Sequence, residues 1–448
     1  MSHDGNFEET EKHQLHCFGK APENVCGITD LGLVTTSSVR KISFGKNHCI
    51  FLFSDGQLGA FGDNDNGQLG IDIKSNHKMK NNFVCFTPVI PLEDKYDIWD
   101  IAAGDNYSLL VVGRNLNSVL VKFGMTGNSQ SISSGIPINN NLMNSISGSG
   151  GESHRNSLAM GGENTEEKNI QTINVVDLEY ENIPNIGRVY AFESRSILVT
   201  GNNDLYVGGV DFKKNRIDEY IFVEHFENDI KTVAMGIDHC LVLDIEGHLF
   251  ALGDGVNGQL GPGGLTGLDR PSRILEDKFP SKIVNVACGE KHSLILLEDG
   301  DVYAMGDDHF GQCAGAGEEY ENPVKINFEY ASKNNYSFTS RSISYSLKSE
   351  KNEGIIPIFP GNPEKITEIY CGYYHCLAIA ENKEIYTWGD ASYGKLGYVP
   401  EEKIINHPLV VNVLKGKTSE TIALGENTTV VVTRILEDLL YSMSKTIE

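Results

Sequence analysis

Basic residues are scarce in this chain: 37 lysines and arginines face 61 aspartates and glutamates, giving a formal net charge of −24. Charge of that sign repels the phosphate backbone that supplies most non-specific nucleic-acid affinity, and no dense Lys/Arg stripe offsets it locally. Direct nucleic-acid binding is therefore not expected. There is no apolar run of about eighteen residues that could cross a bilayer, and the start, Met1-Ser2-His3-Asp4 through Glu8-Glu9-Thr10-Glu11, lacks the apolar core of a secretory signal. The expectation is a soluble intracellular protein without membrane attachment, cytoplasmic by default with the nucleus open. The nine cysteines form no Cys-x-x-Cys pair and are odd in number, which argues against a disulfide framework or a zinc knuckle. Gly-x-x-x-x-Gly-Lys-Ser/Thr, Gly-x-Ser-x-Gly and His-Glu-x-x-His are all missing. No covalent catalytic machinery, catalytic residue, cofactor or metal is expected.

What the chain does have is a repeated phrase. Its fullest copy runs from Ile42 to Gly70: a strand, the turn Gly45-Lys46-Asn47-His48, a second strand, Asp55-Gly56, then Phe61-Gly62-Asp63 and Gly67-Gln68-Leu69-Gly70. Related turns follow at Gly104-Asp105-Asn106-Tyr107, Glu193-Ser194-Arg195-Ser196, Gly236-Ile237-Asp238-His239, Gly289-Glu290-Lys291-His292, Gly372-Tyr373-Tyr374-His375 and Gly425-Glu426-Asn427-Thr428, the third badly worn. Turns begin about 43 to 59 residues apart except across two longer gaps, a period that with several short strands per unit signals a propeller or solenoid. Cysteines follow the repeat: Cys288 and Cys371 precede the turn glycine, while Cys49, Cys240 and Cys376 follow the turn histidine, so they read as small buried hydrophobes.

Stretches such as 283–287, 293–297 and 302–305, separated by tight turns, read as antiparallel strands. A sheet this small cannot bury both faces alone, and closing a stack of them into a ring protects both ends. The sequence also carries a mark of closure. The seventh repeat stops near Thr433 without its aromatic-Gly strand, and Leu15-His16-Cys17-Phe18-Gly19 stands near the N-terminus with no turn before it. We therefore expect an all-β, closed seven-bladed β-propeller whose N-terminal strand completes the last blade. Residues 13–433 form the ring, 1–12 an acidic tail and 434–448 a helical tail with Ile435, Leu436, Leu439, Leu440 and Met443 at helical spacing. Ser- and Asn-rich insertions fall at 128–170, with too few apolar residues to fold independently, and at 330–360.

This grammar of Gly-x-x-His, aromatic-Gly-Asp and Gly-Gln-Leu-Gly resembles the regulator of chromosome condensation repeat family over roughly residues 13 to 433. The family includes exchange factors for small GTPases, ubiquitin-ligase modules, an ultraviolet photoreceptor and plain scaffolds, so the resemblance implies the fold and leaves function to the site. With only Trp99 and Trp388 the tryptophan cluster of the photoreceptor is missing, and no residues remain for a ligase domain. The chromatin-bound member carries a basic tail where this chain is acidic. In the Ran-type exchange factor the residues implicated in exchange lie largely in the turns. Asp105 and His292 match two of those positions, whereas Arg195 and Thr428 stand where the factor offers Asp and His. Its β-wedge emerges just after the second blade's Trp-Gly, where this chain, after Phe123-Gly124, carries the 128–170 insertion.

The resulting expectation is a monomeric, protein-binding propeller acting as exchange factor or regulator of a Ran-like small GTPase. Partner contacts are assigned to Asp105, Asp238, His292, His48 and His375, Asp238 being included on chemistry alone as the acidic neighbour of a turn histidine. The alternative is a non-catalytic scaffold for a cytoskeletal, trafficking or ubiquitin-pathway partner. The four turn histidines are expected to be mainly structural, bonding across their own turns, and too far apart around the ring to share a metal.

Overall fold

A computed structural model describes residues 12–19, 29–35, 37–70, 84–86, 88–89, 97–114, 117–124, 173–174, 179–181, 183, 185–261, 267–275, 278–315, 319–328, 365–398 and 400–435. The two insertions, the tail before Lys12 and residues 436–448 lie outside them. Seven four-stranded antiparallel sheets are formed. They span 39–86, 97–181, 186–225, 230–274, 283–325, 366–410, and 418–435 together with 12–35, and are numbered blades 1 to 7 in that order. Among the described residues no helix is long and apolar enough to cross a membrane.

The innermost-but-one strand of each blade has both faces covered by neighbouring blades, and its sequence shows it. His48–Phe53, Arg195–Thr200, His239–Asp244, His292–Leu297 and His375–Ala380 are buried at every position. Such strands carry near-continuous apolar runs instead of alternation. Burial thins outward, and the outermost strand of blade 3, Arg216–His225, is mostly exposed or half-buried. Apolar clusters accordingly bridge adjacent blades. Leu294 and Val302 of blade 5, for example, share one with Trp388 and Ala378 of blade 6.

Every junction around the ring carries a hydrogen bond. Thr421 Oγ1 donates to Val39 O (2.6 Å), Arg40 Nη2 to Trp99 O (2.9 Å), Val189 N to Asp100 Oδ2 (2.8 Å) and Arg188 Nη1 to Lys231 O (2.7 Å). These four join blades 7–1, 1–2, 2–3 and 3–4. The remaining three junctions are made by turn histidines, described below. All seven innermost strand pairs also slip by one residue at the same place, between Val39 and Lys41, Ile98 and Asp100, Ile186 and Arg188, and at the equivalent points of the other blades. A bulge of this kind sharpens local twist and re-aims side chains. It sits where Lys41 can reach both Asp100 Oδ1 (2.6 Å) and Val189 O (3.2 Å) across two blades.

Closure is as expected from the sequence. Lys12–Gly19 pairs antiparallel with Thr428–Ile435, from Lys12 opposite Ile435 to Gly19 opposite Thr428, without a slip. Leu15, Cys17 and Phe18 are buried. The strand continues through Arg434 and Ile435, two residues read from sequence as the start of a helical tail, because Lys12 and His13 supply their ladder partners.

Candidate partner-binding face

The turn before each inner strand and the loop after each aromatic-Gly lie at one end of the ring, since the two are register partners: His48 faces Gly62, Tyr107 faces Gly124, and His292 faces Gly306. Two glycines make this corner. The aromatic-Gly glycine sits at positive φ (Gly62, +109°; Gly306, +104°), and a Cβ at Gly62 would lie 2.4 Å from Asn47 O. The turn glycine has a different reason. A Cβ at Gly45 would meet the His48 ring at 2.2 Å and Gly104 O of the next blade at 2.1 Å, so the imidazole packs flat where the side chain is missing.

The imidazoles point into the protein. His48 Nε2 lies 2.9 Å from Ser108 Oγ, His239 Nε2 3.0 Å from Ser293 Oγ, His292 Nε2 3.1 Å from Cys376 Sγ and His375 Nε2 2.8 Å from Thr429 Oγ1, each on the following blade. Ser108 and Ser293 in turn donate to the carbonyls of Gln68 and Gln259 in the Gly-Gln-Leu-Gly loops. The bonds thus run between blades and not across the turn, correcting the sequence expectation. Burial drives three of the rings neutral: His48 is lowered to about 4 and His239 to about 3, and His375 is also well below the ordinary value. His48, His292 and His375 are at most 2% exposed, so direct partner contact, assigned to them from sequence, is closed to all three; they fix the turns that bear the surface residues.

The worn third blade replaces this device. Its turn is a two-residue hairpin with Glu193 at φ +49° in the position before Ser194, and Arg195 stands in place of histidine. Buried Arg195 donates to Val210 O (2.9 Å), Asp211 O (2.8 Å) and Ile237 O, and its guanidinium lies over the Phe212 ring at 4.4 Å. It staples blade 3 to blade 4 and is not available to a partner.

What the face does present are the second turn residues: Lys46, Asp105, Glu193, Ile237, Glu290, Tyr373 and Glu426. Backbone bonds join three neighbouring pairs of them, Asp105 N to Glu193 O (2.9 Å), Ile237 N to Glu290 O (3.0 Å) and Glu290 N to Tyr373 O (3.0 Å). Four carboxylates and one lysine therefore share a small area. Glu193 is pushed up to about 7 by burial and then by the charge of Asp105, against the pull of Lys46, with Glu290 and Asp238 adding to it. Asp105 is also raised, by burial first, with Lys46 opposing and Glu426 adding; its Oδ1 is buried without a hydrogen-bond partner. Asp238, at the third turn position, lies outside this line and faces Lys214 Nζ (3.1 Å) and Arg195 Nη2 (3.6 Å). Glu193, Glu290 and Glu426 escaped the sequence assignment although the seven turns, aligned on their third strands, put an acid at the second position four times.

The axis itself is blocked. Phe192 of blade 3 stacks on Tyr373 of blade 6 with ring centroids 4.7 Å apart, at the mouth of a cavity of about 190 Å³ lined by strand ends that include Phe44, Met235, Cys288, Cys371 and Leu424. Around this acidic centre the loops after the third strands expose Val256 (64%), Phe310 (37%) and Tyr393 (47%), with Phe310 against Tyr374 at 4.8 Å. In blade 6 that loop replaces the repeat's glutamine with Lys395, fully buried between Asp390 Oδ2 (2.6 Å) and Glu426 O (3.0 Å).

Sequence profiles of the regulator of chromosome condensation (RCC1) repeat match residues 39–68, 283–312 and 366–395, and in a second form 55–111, 246–296 and 383–432. The third blade is matched by neither. Among curated proteins the chain is similar to the protein RCC2 homolog of Xenopus laevis, 29% identical over 204 residues, which cover 44% of this chain and 37% of that one. Human protein RCC2 is 25% identical over 221 residues, covering 47% and 40%. The matches thus span about two fifths of those relatives' length. Among solved structures, Prp20p of Saccharomyces cerevisiae superposes with a TM-score of 0.66 at 16% identity, over 98% of this chain and 95% of that one. Human WBSCR16 gives 0.64 at 15% identity, over 94% and 99%. At such identities the superpositions speak for the fold alone. Repeats, ring and closing strand together make the chain a seven-bladed propeller that carries regulator of chromosome condensation (RCC1) repeats.

Proposed function

We propose that this propeller acts by binding a protein partner on its turn face, and that the partner is a Ran-like small GTPase whose nucleotide state it regulates. The observation that supports this reading is the acidic centre at Asp105, Glu193, Glu290 and Glu426, ringed by exposed Val256, Phe310 and Tyr393. A GTPase holds its nucleotide through a lysine-bearing phosphate loop and magnesium. Carboxylates that pair with cationic groups bared by nucleotide loss bind the nucleotide-free state better, and the differential affinity expels nucleotide without covalent chemistry. Prp20p has been described with its binding to Gsp1p and histones, which is consistent with a partner face on this fold. Asp238 is proposed as a flanking contact, and the 128–170 insertion as a further element, because the strand Asn117–Gly124 ends at this face. Residence in the cytoplasm or nucleus follows from the same proposal.

The test is release of fluorescent guanine nucleotide from Ran, then from other small GTPases, at micromolar propeller. Acceleration of about ten-fold or more, lost in an Asp105→Asn/Glu290→Gln variant, supports the reading. A folded protein that neither accelerates release nor forms a complex with any nucleotide-free GTPase sinks it. The second reading, a scaffold without exchange activity, draws on Arg195, buried as a staple between blades 3 and 4, and on Thr428, which stands where the Ran-type factor offers His.

A further inference from the structure

The junction between blades 5 and 6 differs chemically from the other histidine junctions. In those, the imidazole meets a hydroxyl, that of Ser108, Ser293 or Thr429, and the residue paired with that hydroxyl on the innermost strand is Ala103, Cys288 or Leu424. At blades 5 and 6 the hydroxyl becomes the Cys376 thiol, and its ladder partner is Cys371. The two Sγ atoms are 4.0 Å apart, His292 Nε2 is 3.1 Å from Cys376 Sγ, and all three atoms lie within 4.8 Å of one another. Cys371 and Cys376 are five residues apart across one turn, and only the ring brings His292 of the preceding blade onto this thiol pair.

We propose that His292, Cys371 and Cys376 form a binding site for one thiophilic d¹⁰ ion, zinc, with its fourth position open to the axial cavity. Zinc bonds of about 2.3 Å to sulfur and about 2.0 to 2.1 Å to nitrogen imply tetrahedral edges of about 3.8 Å between sulfurs and about 3.5 Å between sulfur and nitrogen. The sulfur–sulfur and Cys376–His292 separations need shifts of only a few tenths of an ångström, while Cys371 Sγ, within 4.8 Å of the imidazole nitrogen, closes on it as the ion binds. Cys371 and the strand end it belongs to line the cavity of about 190 Å³, which supplies room for a water as fourth ligand. No carboxylate belongs to the cluster, so two thiolates and an imidazole select a soft ion over magnesium or calcium. On binding, each thiol loses its proton to solvent, and His292 offers its Nε2 lone pair with the ring proton on Nδ1. The Cys376–His292 hydrogen bond is thereby exchanged for two metal bonds.

The experiment uses the full chain, purified with a non-chelating reductant and freed of metal, and titrates it with Co²⁺ as spectroscopic probe before displacement by Zn²⁺. The expected result is one equivalent of Co²⁺ bound with thiolate-to-cobalt charge-transfer absorption and the intense d–d bands of a tetrahedral site, both erased by Zn²⁺. Cys376→Ser installs the hydroxyl that Ser108 and Ser293 supply at this place, so it retains the junction bond and the fold. Cys371→Ala removes the second thiol. Each is expected to weaken Co²⁺ binding at least ten-fold and to diminish the charge-transfer band, with the metal-free melting midpoint of Cys376→Ser close to that of the parent. Absence of charge-transfer absorption in the parent at excess Co²⁺, or undiminished bands in both variants, would overturn the assignment.

Discussion

At the residue scale, the turn histidines His48, His239 and His375 act as neutral connectors, and this sets a pH dependence. His48, His239 and His375 titrate below their unfolded value, so the unfolded chain binds protons that the folded one refuses. Stability is therefore unaffected by these groups above the ordinary histidine range and falls as pH drops below about 6.5, by about 1.4 kcal/mol per pH unit for each ring until its own folded value is reached. Denaturation midpoints measured between pH 7.5 and 5 are expected to decline steeply, and His239→Asn, which has no ionisable ring, to decline less. Glu193 runs the other way. Its folded value, about 7, lies above the unfolded one, so its carboxyl costs stability as pH rises through that window. Glu193→Gln should raise the thermal midpoint at pH 8 and leave it unchanged at pH 4; a fall at pH 8 would show that the carboxylate is held by an attraction and not crowded by its neighbours.

Buried Lys395 is a further residue-scale case. Asp390 is held below the usual carboxylate range despite its burial, because the Lys395 ammonium and Ser392 bond to it, while burial pulls Lys395 down. Removing one member of a buried pair strands the other, at roughly 3 to 5 kcal/mol. Asp390→Ala should cost about that much in chemical denaturation, whereas Lys395→Gln, the residue of the other repeats, should cost less when paired with Asp390→Asn.

At the scale of the element, every blade corner except that of blade 3 depends on two glycines that fail for different reasons. Gly289→Ala drives a methyl onto the His292 ring (2.0 Å) and Gly372 O (2.6 Å), and Gly306→Ala puts a non-glycine at φ +104° against Lys291 O (2.4 Å). Both should destabilise, and proteolysis under native conditions is expected to open blade 5 first; equal stability of either variant with the parent would mean the corner can relax. Glycines and histidines were legible in the sequence because each repeat writes them out, and so was the closing strand, whose Phe18-Gly19 lacks a turn of its own. The direction of the imidazoles was not legible, since Ser108 lies sixty residues from His48 and is a neighbour only once the ring exists. Nor were the seven bulges, which leave no residue-type signature: Lys41, Asp100, Arg188, Thr232, Asn285, Glu368 and Thr421 share a place and no chemistry. Of the candidate site, Asp105 could be reached from one turn alone. Glu193 could not, because losing the turn glycine shifts the third copy against the others.

At the scale of the whole molecule, stability rests on ring closure by eight ladder positions between Lys12–Gly19 and Thr428–Ile435. Deleting residues 1–19 leaves the inner strand of blade 7 with a bare edge and uncovers the core around Val430 and Val432, which Leu15 and Cys17 share. The truncated chain is expected to unfold at a markedly lower denaturant concentration and to regain part of the loss when a peptide of residues 10–20 is added in excess. A truncation as stable as the parent would show the ring to be held by its other junctions.

A stack of repeats transmits strain only from each unit to the next, and a ring gives any two blades just two routes around the circumference. The ring-on-ring contact of Phe192 with Tyr373 adds a third, straight across the diameter from blade 3 to blade 6. Blade 3 is the copy that has drifted farthest from the repeat, and it is also the one given this chord. The Glu193 hairpin thereby has a direct contact route to Tyr373 and to the Gly372 turn beside Cys371 that does not pass through blades 4 and 5.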